Sequence, residues 1–121
     1  MNCLSHDYDL EQRTTNFAKR TVGLCIALPK NEINRPLISQ VIRSAGSIGA
    51  NYREANDALG DKDFIHKMKI ARKEGKETLH WLEIIEEANP KLANRMQNLK
   101  REVVELKNIL SSIILKKEKK K

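Results

Sequence analysis

Glu77-Thr78-Leu79-His80 is the stretch of this 121-residue chain that most resembles a metal-ligand motif. Glu-x-x-His puts a carboxylate and an imidazole on one helix face, as in di-iron helical bundles. Those sites need the motif twice, with a further Glu from each of two other helices. The other histidines, His6 and His66, have no Glu three residues upstream, and residues 90–121 contain no histidine. His80 is therefore expected at an interface or in solvent. Arg72 and His80 are spaced more widely than the pairs used by helical ribonucleases, and no second polar partner accompanies them. Cys3 and Cys25 lack ligand spacing, and no Ser/His/Asp or Cys/His set can be assembled. Cys25 reads as a small apolar filler on a helix. No catalytic, cofactor-binding or metal-ligating residue is assigned, and no enzymatic activity is expected.

A second group of polar residues is of a different kind. Arg43, Asn51, Glu54 and Glu77 are embedded in otherwise apolar helical patterns. Asn51 and Glu54, three apart, share a face, and Arg43 lies just over two turns earlier. They are expected to form a hydrogen-bonded network that fixes helix register within or between subunits. Ser44, Ala45, Gly46, Ser47, Gly49 and Ala50 surround them with small side chains. Each mid-helix glycine costs on the order of 1 kcal/mol relative to Ala, so a neighbouring helix is expected to approach closely here. A phosphate-cradling loop does not fit, because no Gly-Lys-Ser/Thr ending and no preceding strand are present.

The elements that must position these residues follow from apolar periodicity. Leu10, Thr14, Phe17, Thr21, Leu24 and Leu28 recur at steps of four and three, with Asp9 and Gln12 as a capping box and Pro29 as the stop. Ile38, Val41, Ile42, Ala45, Ile48, Gly49 and Tyr52 form a second stripe, with Asn34 as the expected cap and Pro36 in the first turn. Phe64, Met68, Ala71, Gly75, Thr78, Leu82 and Ile85 form a third, capped by Asp61 or Asp63. Leu92, Met96, Leu99, Val103, Leu106, Leu110 and Ile113 form a fourth after Asn89-Pro90. These predict one domain over residues 1–115, with helices at about 10–28, 36–58, 62–88 and 91–115, and a flexible basic tail at 116–121. Short connections make neighbours antiparallel. The expected fold is all-α, an up-down-up-down four-helix bundle.

The third helix carries a further apolar set off its seam, Ile70, Trp81 and Ile84, and the fourth adds Val104, Ile109, Ile114 and Leu115. A small monomer seldom leaves Trp and several Ile together in water, so Ile70, Trp81 and Ile84 are the expected homo-oligomer interface. A wide core face is the competing reading.

Residues 43–57 (Arg-Ser-Ala-Gly-Ser-Ile-Gly-Ala-Asn-Tyr-Arg-Glu-Ala-Asn-Asp), then Phe64, Ile70-Ala71 and a Glu on the same helix, form a distinctive combination. It resembles the four-helix-bundle family of proteins encoded in intervening sequences of 23S ribosomal RNA genes. The likeness is close over the second and third helices and loose elsewhere. It implies a small homo-oligomeric bundle, with a pentamer favoured, and no established enzymatic activity. One related branch, the accessory proteins of diversity-generating retroelements, is basic and associates with nucleic acid and a reverse transcriptase. That branch suggests RNA, DNA or such a protein as partner, although no residue here assigns the chain to it.

Charge narrows the choice of partner. The chain has net charge +7 and a pI near 9.5, of which residues 116–121 carry +4. Residues 61–77 are net +2, 78–90 net −3 and 91–107 net +3. An antiparallel arrangement brings the tail beside the start of the third helix, so Lys62, Lys67, Lys116, Lys117, Lys119, Lys120 and Lys121 are the candidate phosphate contacts. A ring would repeat them and strengthen the field. With aromatics at 4%, base-stacking platforms are not expected. The favoured reading is a non-enzymatic oligomeric accessory to nucleic-acid transactions. Alternatives are a protein-interaction scaffold and a small-ligand or metal-binding bundle. No apolar run is long enough for a membrane span and no signal peptide is legible, so a cytoplasmic location is expected.

Overall fold

The computed structural model of the chain describes residues 3–119, with side chains from Leu10 onward. The elements in order are α1 (Cys3–Ala27), α2 (Asn34–Asn56), α3 (Asp61–Ala88), a 3₁₀ turn (Pro90–Leu92) and α4 (Ala93–Lys119). No helix among the described residues is long and apolar enough to cross a membrane. Cross-links between neighbours fix direction and register. Arg53 of α2 reaches Glu11 and Thr15 of α1 at 3.1 and 3.0 Å. Arg72 of α3 meets Ser111 of α4 at 3.3 Å, while Lys100 of α4 meets Glu86 further along α3 at 2.6 Å. As one helix advances its neighbour recedes, so the four run antiparallel. Arg13, held by Glu102 and Glu105 at 2.9 and 2.8 Å, closes α1 onto α4.

The core is built from the four expected stripes. Leu10, Phe17, Leu24, Leu28, Val41, Ile48, Tyr52, Met68, Leu82, Ile85, Met96, Leu106 and Leu110 are all buried. Two positions depart from the expected seams. Ile42 is 39% exposed, and Ser44 takes the buried place beside Val41. On α4 the last buried residue is Ile114, with Ile113 only partly covered. A straight α-helix drifts by about 20° per heptad against a strict seven-residue repeat, so three heptads carry the seam one position onward.

The helix ends also differ from expectation. α1 begins at Cys3, so Asp9 lies inside the helix rather than at its start. The side chain of Cys3 lies outside the described residues. Asn31 does the work expected of Asn34, its Oδ1 accepting from the backbone N–H groups of Ile33 and Asn34 at 3.1 and 2.8 Å. Asn34 instead turns inward and exchanges two amide bonds with Asn89, both at 2.9 Å, tying the α1–α2 loop to the end of α3. Asp61 and Asp63 sit in the first turn of α3 without a side-chain cap bond. α4 stays helical through Lys119, so residues 116–119 are the last turn of a helix. Lys120 and Lys121 lie outside the described residues.

Of the two glycines expected at a close approach, only Gly49 is at one within the chain. A Cβ there would fall 2.9 Å from Thr14 Oγ1 and 3.2 Å from Thr14 Cβ. Gly46 faces open space. A Cβ on Gly75 would stand 3.8–4.0 Å from Lys107, Val103 and Ile48, an ordinary van der Waals distance. Gly49→Ala is therefore expected to destabilise the protein by about 1–3 kcal/mol through overpacking. Gly75→Ala is expected to be neutral or to stabilise it by up to about 1 kcal/mol through helix propensity. Urea denaturation of the two variants measures both signs.

Candidate functional site

Burial of Met68, Ala71, Gly75, Thr78, Leu82 and Ile85 sets the rotation of α3 about its axis. Thr78 Oγ1 locks that rotation, bonding Ser44 Oγ of α2 at 2.8 Å and the carbonyl of Glu74 at 2.8 Å. With the seam fixed, the charges of α3 are sorted. Glu74 and Glu77 lie toward α2, where Arg43 meets them at 3.3 and 2.9 Å. Arg72 lies toward α4, where it bonds Ser111.

Arg43 and Glu77 thus come together as the sequence suggested, joined by Glu74. The other two members of that group go elsewhere. Asn51 donates to the carbonyl of Ser47 at 2.9 Å within its own helix, and Glu54 pairs with Lys67 at 2.8 Å. Trp81 sits one turn beyond Glu77 on the same stripe, edge-on to His80 with ring centroids 4.9 Å apart. Its indole Nε1 is buried with no hydrogen-bond partner among the described residues. The Arg43 guanidinium keeps Glu77 below the usual carboxylate range. Burial, reinforced by the neighbouring Glu77, pushes Glu74 up.

Ile70, Glu74, Glu77, Trp81 and Ile84 form one stripe at steps of four and three, facing α2 and solvent. Ile84 is 36% exposed, while Ile70 and Trp81 are partly covered. A second apolar face was not anticipated. The Arg53–Glu11 and Gly49–Thr14 contacts set the α1–α2 register. Continued along the pair, that register places Val22 beside Ile42, and Ile26 beside Ile38. Val22, Ile26 and Ile42 are 42, 74 and 39% exposed. The spacing Ala18-Val22-Ile26, one i+4 row off the α1 seam, was the available signal.

The five described candidate phosphate contacts gather at the end of the bundle where α3 begins and α4 finishes, and two of them are already paired. Lys67 is bound to Glu54, and Lys117 to Asp61 at 3.4 Å while also lying over the Phe64 ring. Lys69 beside them is held by Glu118 at 3.1 Å. Lys62, Lys116 and Lys119 are exposed.

No set of three His, Cys, Asp or Glu side chains among the described residues could hold a metal. His80 lies beside Trp81, while Arg72 reaches toward α4. Burial pushes the Cys25 thiol up to about 11, so it stays protonated and unreactive at neutral pH. A cleft of about 320 Å³ opens along α4, but its lining of Glu105, Asn108, Ile109, Ser112, Ile113 and Lys116 holds no nucleophile–base pair.

The fold and its surfaces define an all-helical bundle protein whose distinguishing features are exposed faces. The chain belongs to the family described as 23S rRNA-intervening sequence protein, whose profile matches residues 6–112. It is also similar to a crystal structure from Bacteroides thetaiotaomicron, described as a protein with unknown function from the S23 ribosomal protein family. The two are 34% identical with a TM-score of 0.76, and the match covers 87% of this chain and 97% of that one. No curated protein matches the chain.

The Arg43 cluster has a definite pH signature. Glu77, with its lowered pKa, contributes stability above the ordinary carboxylate pKa and loses it as pH falls through the lowered value. Glu74, with its raised pKa, has the opposite sign, its ionisation costing stability as pH rises through the raised value. Removing Arg43 should move both carboxyl titrations upward in a carbon-13 NMR titration. The deficit of Arg43→Ala should be at most about 1 kcal/mol at pH 7, as for exposed ion pairs. It should vanish below the two pKa values, where both carboxyls are protonated.

Proposed function

We propose that this protein is a non-enzymatic helical bundle that assembles with copies of itself and, as an assembly, holds nucleic acid by its phosphate backbone. The observation that carries this reading is the pair of apolar faces flanking α2. One holds Val22, Ile26 and Ile42, and the other holds Trp81 and Ile84. A lone chain would leave Val22, Ile26, Ile42 and Ile84 in water, and Trp81, partly buried against the core, keeps its Nε1 without a partner at a cost of about 1–3 kcal/mol. Gly46, on the outer surface of α2 with nothing within 4 Å, adds support. A helix of a second copy can lie close against it and offset its cost in helix propensity.

Two different faces on adjacent sides of one bundle favour a head-to-tail contact, and such a contact closes into a ring when the rotation permits. A pentamer is the ring favoured by the resemblance drawn from the sequence. A ring multiplies the +7 of each chain, and that total favours a polyanionic partner.

Light scattering coupled to size exclusion tests the assembly. The expected mass is several times the 13.9 kDa of one chain. Ile26→Ser combined with Ile84→Ser should shift it toward the monomer while leaving the helical circular dichroism unchanged. A wild-type protein that runs as a monomer at micromolar concentration contradicts the reading.

A further inference from the structure

We propose that the outer groove between α3 and α4, rather than the end of the bundle, is where a nucleic-acid duplex lies, with Arg72, Lys76 and Lys107 as the phosphate contacts. The proposal rests on the nucleic-acid reading above and gives it a location. The packing of the two helices brings these cations together. A Cβ on Gly75 would stand 3.8 Å from the Lys107 Cβ, which places Lys76 and Lys107 across from each other. Arg72 lies four residues before Lys76, about 6 Å along the same helix, and reaches Ser111, one turn beyond Lys107 on α4.

No carboxylate among the described residues pairs with any of the three. The sole bond from Arg72 goes to a neutral hydroxyl, and Lys76 and Lys107 have no ion pair. Lys73, exposed beside them, has none either. Four neighbouring carboxylates are engaged elsewhere, and Glu83, on the same row of α3, lies about two turns beyond Lys76. Glu74 and Glu77 turn to Arg43, Glu118 holds Lys69 at one end, and Glu86 holds Lys100 at the other. Uncompensated like charges held this close repel one another, and a row of phosphates relieves that repulsion.

The end of the bundle is the weaker candidate because Asp61, Glu54 and Glu118 already hold Lys117, Lys67 and Lys69. A duplex fits better than a single strand. Phe17 and Tyr52 are buried, Phe64 lies under Lys117, and Trp81 faces α2, so among the described side chains no aromatic ring borders the groove for bases to stack on.

The test is a salt series of binding to a fluorescently labelled 20-base-pair DNA duplex, using the full chain. Each phosphate neutralised on B-DNA contributes about 0.9 to the slope of log affinity against log salt. The triple variant Arg72→Gln, Lys76→Gln, Lys107→Gln should lower that slope by about 2 to 3 and weaken binding on the order of tenfold or more at low salt. Lys76→Gln alone, at an exposed position where folding is not at stake, should lower it by about 0.9. Lys62→Gln with Lys116→Gln should leave the slope nearly unchanged. If the wild type does not bind at low salt, the nucleic-acid reading itself falls, and this location with it. If the wild type binds and the groove variants keep its slope, the groove is overturned and the wider reading stands.

Discussion

The surface of this protein depends on the rotation of α3. Once its seam turns inward and Thr78 locks onto Ser44, every charged residue on that helix has its direction set. Sequence alone shows residues 61–77 as an almost even mixture of acids and bases. In the fold the mixture separates, with Glu74 and Glu77 on one flank and Arg72 and Lys76 on the other. The same rotation lines up Ile70, Trp81 and Ile84 beside the acidic flank. One buried stripe therefore produces an apolar, carboxylate-bearing side and a cationic side, and a small bundle can devote one to self-contact and the other to an anion.

The close approach at Gly49 plays the matching part for α2. With Thr14 at 2.9 Å from where a Cβ would stand, α1 is pressed onto α2. That contact sets the register that carries Val22 next to Ile42. The polar groups used in the interior are few and well matched. Asn34 and Asn89 satisfy each other, and Thr21 returns its hydroxyl to the Phe17 carbonyl at 3.0 Å. Trp81 Nε1 is the buried side-chain donor left over among the described residues, and it lies on the face assigned to another copy.

Much of the fold was legible in the sequence because helix periodicity is a local property. The four stripes, their breaks at Pro29, Gly60 and Asn89-Pro90, and their antiparallel order can all be read from residue types and loop lengths. The errors lie where tertiary geometry decides. Ile113 and Ile114 are equally apolar, and only the accumulated drift of a straight helix selects Ile114. Asn34 looks like a cap, but a partner 55 positions away draws it inward. The Lys116–Lys119 stretch looks like a solvated tail, yet Lys117 and Glu118 find partners on α3 and prolong the helix. Surface chemistry was the least legible. Arg43, Asn51, Glu54 and Glu77 look like one network, but sequence spacing cannot show that Lys67 will take Glu54 and Glu74 will join Arg43. The uncompensated cations of the α3–α4 groove are a matter of which carboxylates have other partners, and that is settled only by packing.

The central claim is that the two flanks of α3 have separate tasks, and lysine footprinting tests it most directly. The protein would be acetylated lightly, with and without an excess of 20-base-pair duplex, and the modified positions read by mass spectrometry. Protection of Lys73, Lys76 and Lys107 by the duplex, with Lys19, Lys30 and Lys91 unaffected, is the predicted result. Protection confined to Lys62, Lys116 and Lys119, or spread evenly over every lysine, would contradict it.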